Sequence, residues 1–141
     1  MTVPTPRPSE APAFPFSTFT VLNALQLGLI ECRADADVRT VARAMADGSV
    51  HCVIVRGIEP DGWGIVSDLD LMAALRPEIA GATAGQLAAT DVLIVDPGDS
   101  LEHAAQLMAE HQTTHAVVVD PVTGRPIGIL STLDIARFLA G

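Results

Sequence analysis

Residues Gly64-Ile65-Val66-Ser67-Asp68-Leu69-Asp70 return as Gly128-Ile129-Leu130-Ser131-Thr132-Leu133-Asp134, every position displaced by 64. A chain that repeats itself at this depth folds as related units, neither of which need bury its apolar face alone. The likeness runs beyond the motif. Leu29-Ile30-Glu31-Cys32 matches Val92-Leu93-Ile94-Val95, and Val38, Val41, Ala42 and Met45 match Leu101, Ala104, Ala105 and Met108, at a displacement of 63. By His51–Val55 and His115–Val119 the displacement is 64, so the second copy carries one extra residue near the end of its helix. The slip falls outside the strands and leaves their in–out phase intact. The repeat therefore implies two halves packed on each other, with two related sites.

Each half reads as the same string of elements. A short helix leads, near residues 20–27 and 83–89, and a short apolar strand follows at 29–32 and 92–95. Asp37 and Ser100 are N-cap residues for the next helix. Its apolar positions, Val38, Val41, Ala42 and Met45 in one copy and Leu101, Ala104, Ala105 and Met108 in the other, fall on one helical face. Residues 52–55 and 116–119 are unbroken Val-rich runs, the pattern of strands covered on both faces. Turn-rich connections at 57–62 and 121–126 lead into third strands at 63–66 and 127–130, close enough to pair as hairpins. A last helix starts at Ser67 or Ser131. Residues 77–82 link the halves.

With 49% apolar residues in a chain of 141, there is enough material for one compact domain or a pair of small halves. Residues 1–17, with Pro4, Pro6, Pro8, Pro12 and Pro15, stand apart as an extended or disordered tail. The repeats occupy 18–78 and 79–141. Phe14, Phe16 and Phe19 close the tail; they either clamp onto the body or a partner, or cover an exposed edge. No run reaches the roughly 18 apolar residues of a membrane span. The start lacks a basic then apolar secretory layout, which points to the cytoplasm. Cys32 and Cys52 align with Val95 and Ala116, so they read as small buried hydrophobes. A net charge of −9 argues against nucleic acid and anionic membranes as partners.

This element order, with Gly, two apolar residues, Ser, two residues and Asp closing each half, resembles the CBS domain. Two in tandem resemble a CBS pair, or Bateman module, over residues 18–141, with no catalytic or transport domain attached. The resemblance implies an α+β sandwich: two β-α-β-β-α repeats packed with pseudo-two-fold symmetry. It also implies a cleft between the repeats that takes adenine nucleotides or adenosyl compounds such as AMP, ADP or ATP. Asp134 and Asp70 would accept hydrogen bonds from ribose hydroxyls, and Ser131 and Ser67 would sit near ribose or phosphate. A carboxylate has acceptors for both hydroxyls of a cis-diol, and the first turn of a helix offers N–H groups to a phosphate. The motif glycine would let a ligand or a neighbouring strand come close.

The same residues have another explanation. Ser-x-x-Asp at a helix start is nearly a capping box, which needs no ligand. The two copies also differ. Arg137 lies one turn beyond Asp134 on the same face, whereas the matching residue is Ala73, and Asp68 replaces the neutral Thr132. Asp134 is therefore expected to mark the better nucleotide site and Asp70 a weak, altered or empty one. His51 and His115, at matching places before the central strands, are imidazoles able to donate to a phosphate, or strand-edge residues satisfied by backbone or water. By resemblance, Thr90 and Val92 would contact the base. Val53 and Val117 would line an apolar slot for an adenine ring, or be ordinary core.

The expected function is a regulatory module that binds an adenosyl ligand and passes a shift in packing to a regulated protein. The alternative is a homodimeric scaffold with degenerate sites. Its interface would use the Phe14–Phe19 segment and the apolar last helix (Leu133, Ile135, Phe138, Leu139). An enzyme is not expected, since no nucleophile elbow, phosphate loop or metal cluster appears. Nor is a metal: His103 and His111 are two helical turns apart, with no Cys or carboxylate to complete a chelating set beside His115. No cofactor is obligatory.

Overall fold

The computed structural model describes residues 18–25, 28–58 and 62–141. Along the chain run α1 (Val21–Ala24), β1 (Glu31–Arg33), α2 (Val38–Gly48), β2 (Cys52–Ile58), β3 (Gly62–Ser67) and α3 (Asp68–Ala73). Then come α4 (Ala84–Leu87), β4 (Ile94–Val95), α5 (Leu101–Glu110), β5 (His115–Val119), β6 (Pro126–Ser131) and α6 (Thr132–Ala140). They build two three-stranded sheets, β1-β2-β3 and β4-β5-β6. In each, the first strand pairs parallel with the central one and the third pairs antiparallel as a hairpin. The fold is α+β, two like units in one chain. Among the described residues no helix is long and apolar enough to cross a membrane.

Local chemistry sets the helix starts. The Asp37 carboxylate accepts from Thr40 N at 2.8 Å and Ser100 Oγ from His103 N at 3.0 Å; caps of this kind stabilise a helix by about 1 kcal/mol. At the far ends, Ser49 and Gln112 both take φ of 52°, a left-handed residue at matching places in the two copies. The extra residue of the second copy therefore falls in the Thr113-Thr114 step, where the first has only Val50. The first strands begin later than the sequence predicts. Ile54 N donates to Ile30 O and Val117 N to Leu93 O, both at 2.9 Å. Leu29 and Val92 precede these bonds and stay outside the ladder.

Two apolar clusters form the core. In one, Val41 and Met45 of α2 pack on Cys32, Val53, Val55 and Val66. In the other, Leu101, Ala104 and Met108 of α5 pack on Val95, Ala116, Val118 and Leu130. Ile54 and Val117 are fully buried yet belong to neither cluster. They alternate with the cluster residues along β2 and β5, so they point from the opposite faces of the sheets. That two-sided burial is why these strands read as unbroken apolar runs.

The leading helices are exchanged. Val21 and Leu25 belong to the cluster of the second repeat, and Ala84 to that of the first. Hydrogen bonds fix both crossings: Val21 N to Asp99 O at 2.9 Å and Leu101 N to Phe19 O at 2.8 Å, against Ala84 N to Ala36 O at 2.8 Å and Gly85 N to Ala34 O at 2.9 Å. Phe19 adds an edge-on contact with Phe138 of α6, ring centres 4.9 Å apart. Burying a side chain such as Val21 or Leu25 stabilises by about 1.5–3 kcal/mol, so each repeat draws part of its core from the other's leader. Phe14, Phe16 and the remainder of the Pro-rich tail lie outside the described residues.

Candidate functional site

Both Ser-x-x-Asp motifs fold as capping boxes at the strand-to-helix turn. In the second, Asp134 Oδ2 accepts from Ser131 N at 2.8 Å and from Ser131 Oγ at 3.0 Å, while Asp134 N donates back to Ser131 Oγ at 3.1 Å. The first copy repeats this: Asp70 Oδ2 accepts from Ser67 N at 2.8 Å and Ser67 Oγ at 3.1 Å. Both capping bonds land on one carboxylate oxygen. Among the described residues no donor reaches Oδ1 of Asp134, so the cap and a further bond are compatible. Asp134 is also the one buried charged side chain of the described residues, 8% exposed.

A cavity of about 500 Å³ opens beside Asp134. Ser131, Asp134 and Arg137 line one wall, with Ile129 and Leu133; His51 and His115 both reach it. The opposite wall comes from the first repeat: Gly28, Leu29 and Ile30 ahead of β1, Ser49 and Val50 ahead of β2, and Cys52 at its start. The site is thus built across the halves, the polar motif of one facing the apolar strand entry of the other. The Arg137 guanidinium makes no ion pair among the described residues. Asp70 and Ser67 line neither this cavity nor the larger cleft at the far end of the sheets.

Residues 84–141 match the family model of the CBS domain. In three dimensions the whole described body aligns with the CBS domain pair of protein MJ0100, solved with 5′-methylthioadenosine and S-adenosyl-L-methionine. The TM-score is 0.76 at 20% identity, over 86% of this chain and 96% of that one. CBSX2, solved in complex with AMP, aligns with a TM-score of 0.73 at 26% identity, again over 86% and 96%. Residues 84–141 are a CBS domain, and the described body has the fold of a tandem CBS domain pair. By sequence the chain is also 28% identical to hypoxic response protein 1 of Mycobacterium tuberculosis over 116 residues, 78% of each chain.

Besides Ser67 and Asp70, four expected site residues sit elsewhere. Val53 and Val117 are fully buried and line no part of the cavity; the central strand is covered on both faces, which leaves them no open side. Thr90 lines the far cleft, and Val92 is half-buried outside both cavities. The reason is the pairing across halves: beside Asp134 the apolar wall includes Leu29 and Ile30, the first-repeat counterparts of Val92 and Leu93. Val50 was likewise missed. The signal was present in the displacement of 63, which equates Leu29 with Val92 and leaves only the choice of half open.

The two histidines meet different neighbours. His51 Nδ1 donates to Asp68 Oδ2 at 2.9 Å, and Asp68 N donates to His51 O at 2.9 Å. That imidazole bond holds the Asp68 carboxyl below its usual range. His115 instead shares a 2.9 Å hydrogen bond with Thr114, the residue the longer second copy supplies. Burial pushes the His115 pKa down, partly offset by the charge of Asp68 and reinforced by His51. Because its folded pKa lies below the unfolded one, the unfolded chain binds this proton more readily. Stability therefore falls as pH drops below about 6.5. Melting temperatures measured from pH 7.5 to 5 are expected to decline less steeply in His115→Gln than in the wild type; parallel curves would remove His115 as a source of the acid sensitivity.

Cys52 also borders the cavity, and its thiol is pushed up to about 12 by burial, with Asp70 and Asp68 adding to the shift. It is held as an apolar wall residue, not a nucleophile.

Proposed function

We propose that this CBS pair is a regulatory module that binds an adenine nucleotide or related adenosyl compound in the cavity beside Asp134. The observation that carries this is Asp134 itself. It is a buried carboxylate whose Oδ2 is occupied by the cap and whose Oδ1 is open, at the mouth of a cavity with an apolar far wall. Oδ1 suits a ribose hydroxyl, Leu29, Ile30 and Val50 suit the base, and Arg137 with the first turn of α6 suits a phosphate. MJ0100 and CBSX2, which share the fold, were solved with adenosyl compounds, and that supports the ligand class. Asp68, engaged with His51, sets negative charge next to the Asp70 motif and favours occupancy at Asp134. The test is thermal shift with AMP, ADP, ATP, S-adenosylmethionine and NADH. A ligand at 100 times its dissociation constant stabilises by about 2.7 kcal/mol; no shift with any of them would leave both motifs as helix caps.

A second reading, self-association, rests on the outer helices. Leu69, Met72 and Leu75 are 77%, 65% and 79% exposed, and Leu133 and Leu139, the repeat partners of Leu69 and Leu75, are 47% and 43% exposed. Apolar side chains at matching places on α3 and the turn after it and on α6 suit an isologous interface. Light scattering is expected to give twice the chain mass, and Leu75→Glu to lower it; a monomer at all concentrations would refute this.

A further inference from the structure

The far cleft differs in kind from the Asp134 cavity. It measures about 1400 Å³ and lies between the outer ends of the two hairpins. Its floor is a cross-strand row: Arg33 stands opposite Arg56 between β1 and β2, and Arg56 opposite Trp63 between β2 and β3. Residues directly opposite in a ladder share a face, and neighbouring strands are about 4.7–4.9 Å apart. Two guanidiniums and an indole are therefore ranged side by side. Arg125 and Thr123, from the turn before β6, complete the rim.

The fold does not require this row, because the other repeat lacks it. The matching residues are Asp96, Asp120 and Ile127. The chain has 8 basic residues and a net charge of −9, yet three of its arginines gather here. Two of them have acidic partners within the cleft. Arg33 meets Asp35 at 3.1 Å with both side chains largely exposed, and Arg56 meets Glu31 at 3.1 Å. A pair as exposed as Arg33–Asp35 contributes little and exchanges readily for another anion, and the Arg56 side chain is itself 63% exposed. Arg125 makes no ion pair among the described residues.

We propose that this cleft is a second binding site, separate from the Asp134 cavity, for a small anion that carries a flat ring. The guanidiniums of Arg33, Arg56 and Arg125 take the phosphate or carboxylate, for which their planar forks are shaped. The ring lies on the Trp63 indole, where stacking and the adjacent guanidiniums favour it.

Trp63 is the chain's single tryptophan, so its emission reports on this cleft directly. Phenyl phosphate is titrated into the full chain and followed by Trp63 emission and by calorimetry on the same samples, with phenol and inorganic phosphate run separately. Saturable binding is expected, tighter than either half-ligand. Arg56→Gln and Arg125→Gln are each expected to weaken it about tenfold, the loss of one charge-assisted contact. Both side chains are exposed, so the variants keep the fold, which unchanged melting would verify. The proposal is overturned by no saturable signal, by wild-type affinity in both arginine variants, or by inorganic phosphate binding as tightly as phenyl phosphate.

Discussion

Asp134→Ala is expected to melt at the same temperature with and without AMP, while the wild-type protein gains several degrees. With AMP at 100 times its dissociation constant the wild-type gain corresponds to about 2.7 kcal/mol, and removing the carboxylate removes the acceptor to which the proposed site assigns the ribose. The substitution also deletes the bonds from Ser131 N and Ser131 Oγ, which lowers the starting stability by about 1 kcal/mol. The quantity to read is therefore the shift within each variant, not its absolute melting temperature. Asp70→Ala provides the contrast, since it loses the same pair of bonds from Ser67 and is expected to keep the larger part of the AMP response. An undiminished shift in Asp134→Ala would place the ligand somewhere else.

Gly64→Val is expected to cost about 1–3 kcal/mol in urea unfolding, the range for overpacking a well-filled interior. A Cβ at Gly64 would stand 2.6 Å from Ala89 O and 3.2 Å from the Ala88 side chain. That carbonyl cannot retreat cheaply: it accepts from Ile65 N at 2.9 Å, and Ala89 N donates to Ile65 O at 2.8 Å. At the matching Gly128 the nearest atoms, at 2.9 Å, belong to the end of the Leu25 side chain, which can turn aside, so Gly128→Ala is expected to cost less. Gly81→Ala, with nothing within 4 Å, is expected to stay within about 0.5 kcal/mol. Equal urea midpoints for Gly64→Val and the wild type would mean that the connection between repeats does not press on β3.

The motif glycines show both the reach and the limit of the sequence. Their need for a close neighbour was legible, because a capping box alone requires no glycine before the serine. What approaches them is the leader of the opposite repeat, Ala88 and Ala89 at Gly64 and Leu25 at Gly128, and no local pattern carries that. The α2 and α5 faces, the caps at Asp37 and Ser100, and the central strands were all readable, since each rests on contacts within one repeat. Leu29 and Val50 beside Asp134, the bond from His51 to Asp68, and the row of Arg33, Arg56 and Trp63 were not. They depend on which half faces which, or on strand register, and internal similarity leaves both undetermined.

The exchanged leaders bear on how such a chain arises. A single repeat carrying its own leading helix could fill its core only by trading that helix with a second copy, as a domain-swapped dimer does. Joining two copies in one chain turns that encounter into an intramolecular step, at a fixed effective concentration set by the linker. The two copies then cease to be interchangeable. One can keep Arg137 while the other acquires Asp68, and one sheet can gather arginines where the other has aspartates. Covalent linkage thus frees each half from serving both places in a symmetric pair.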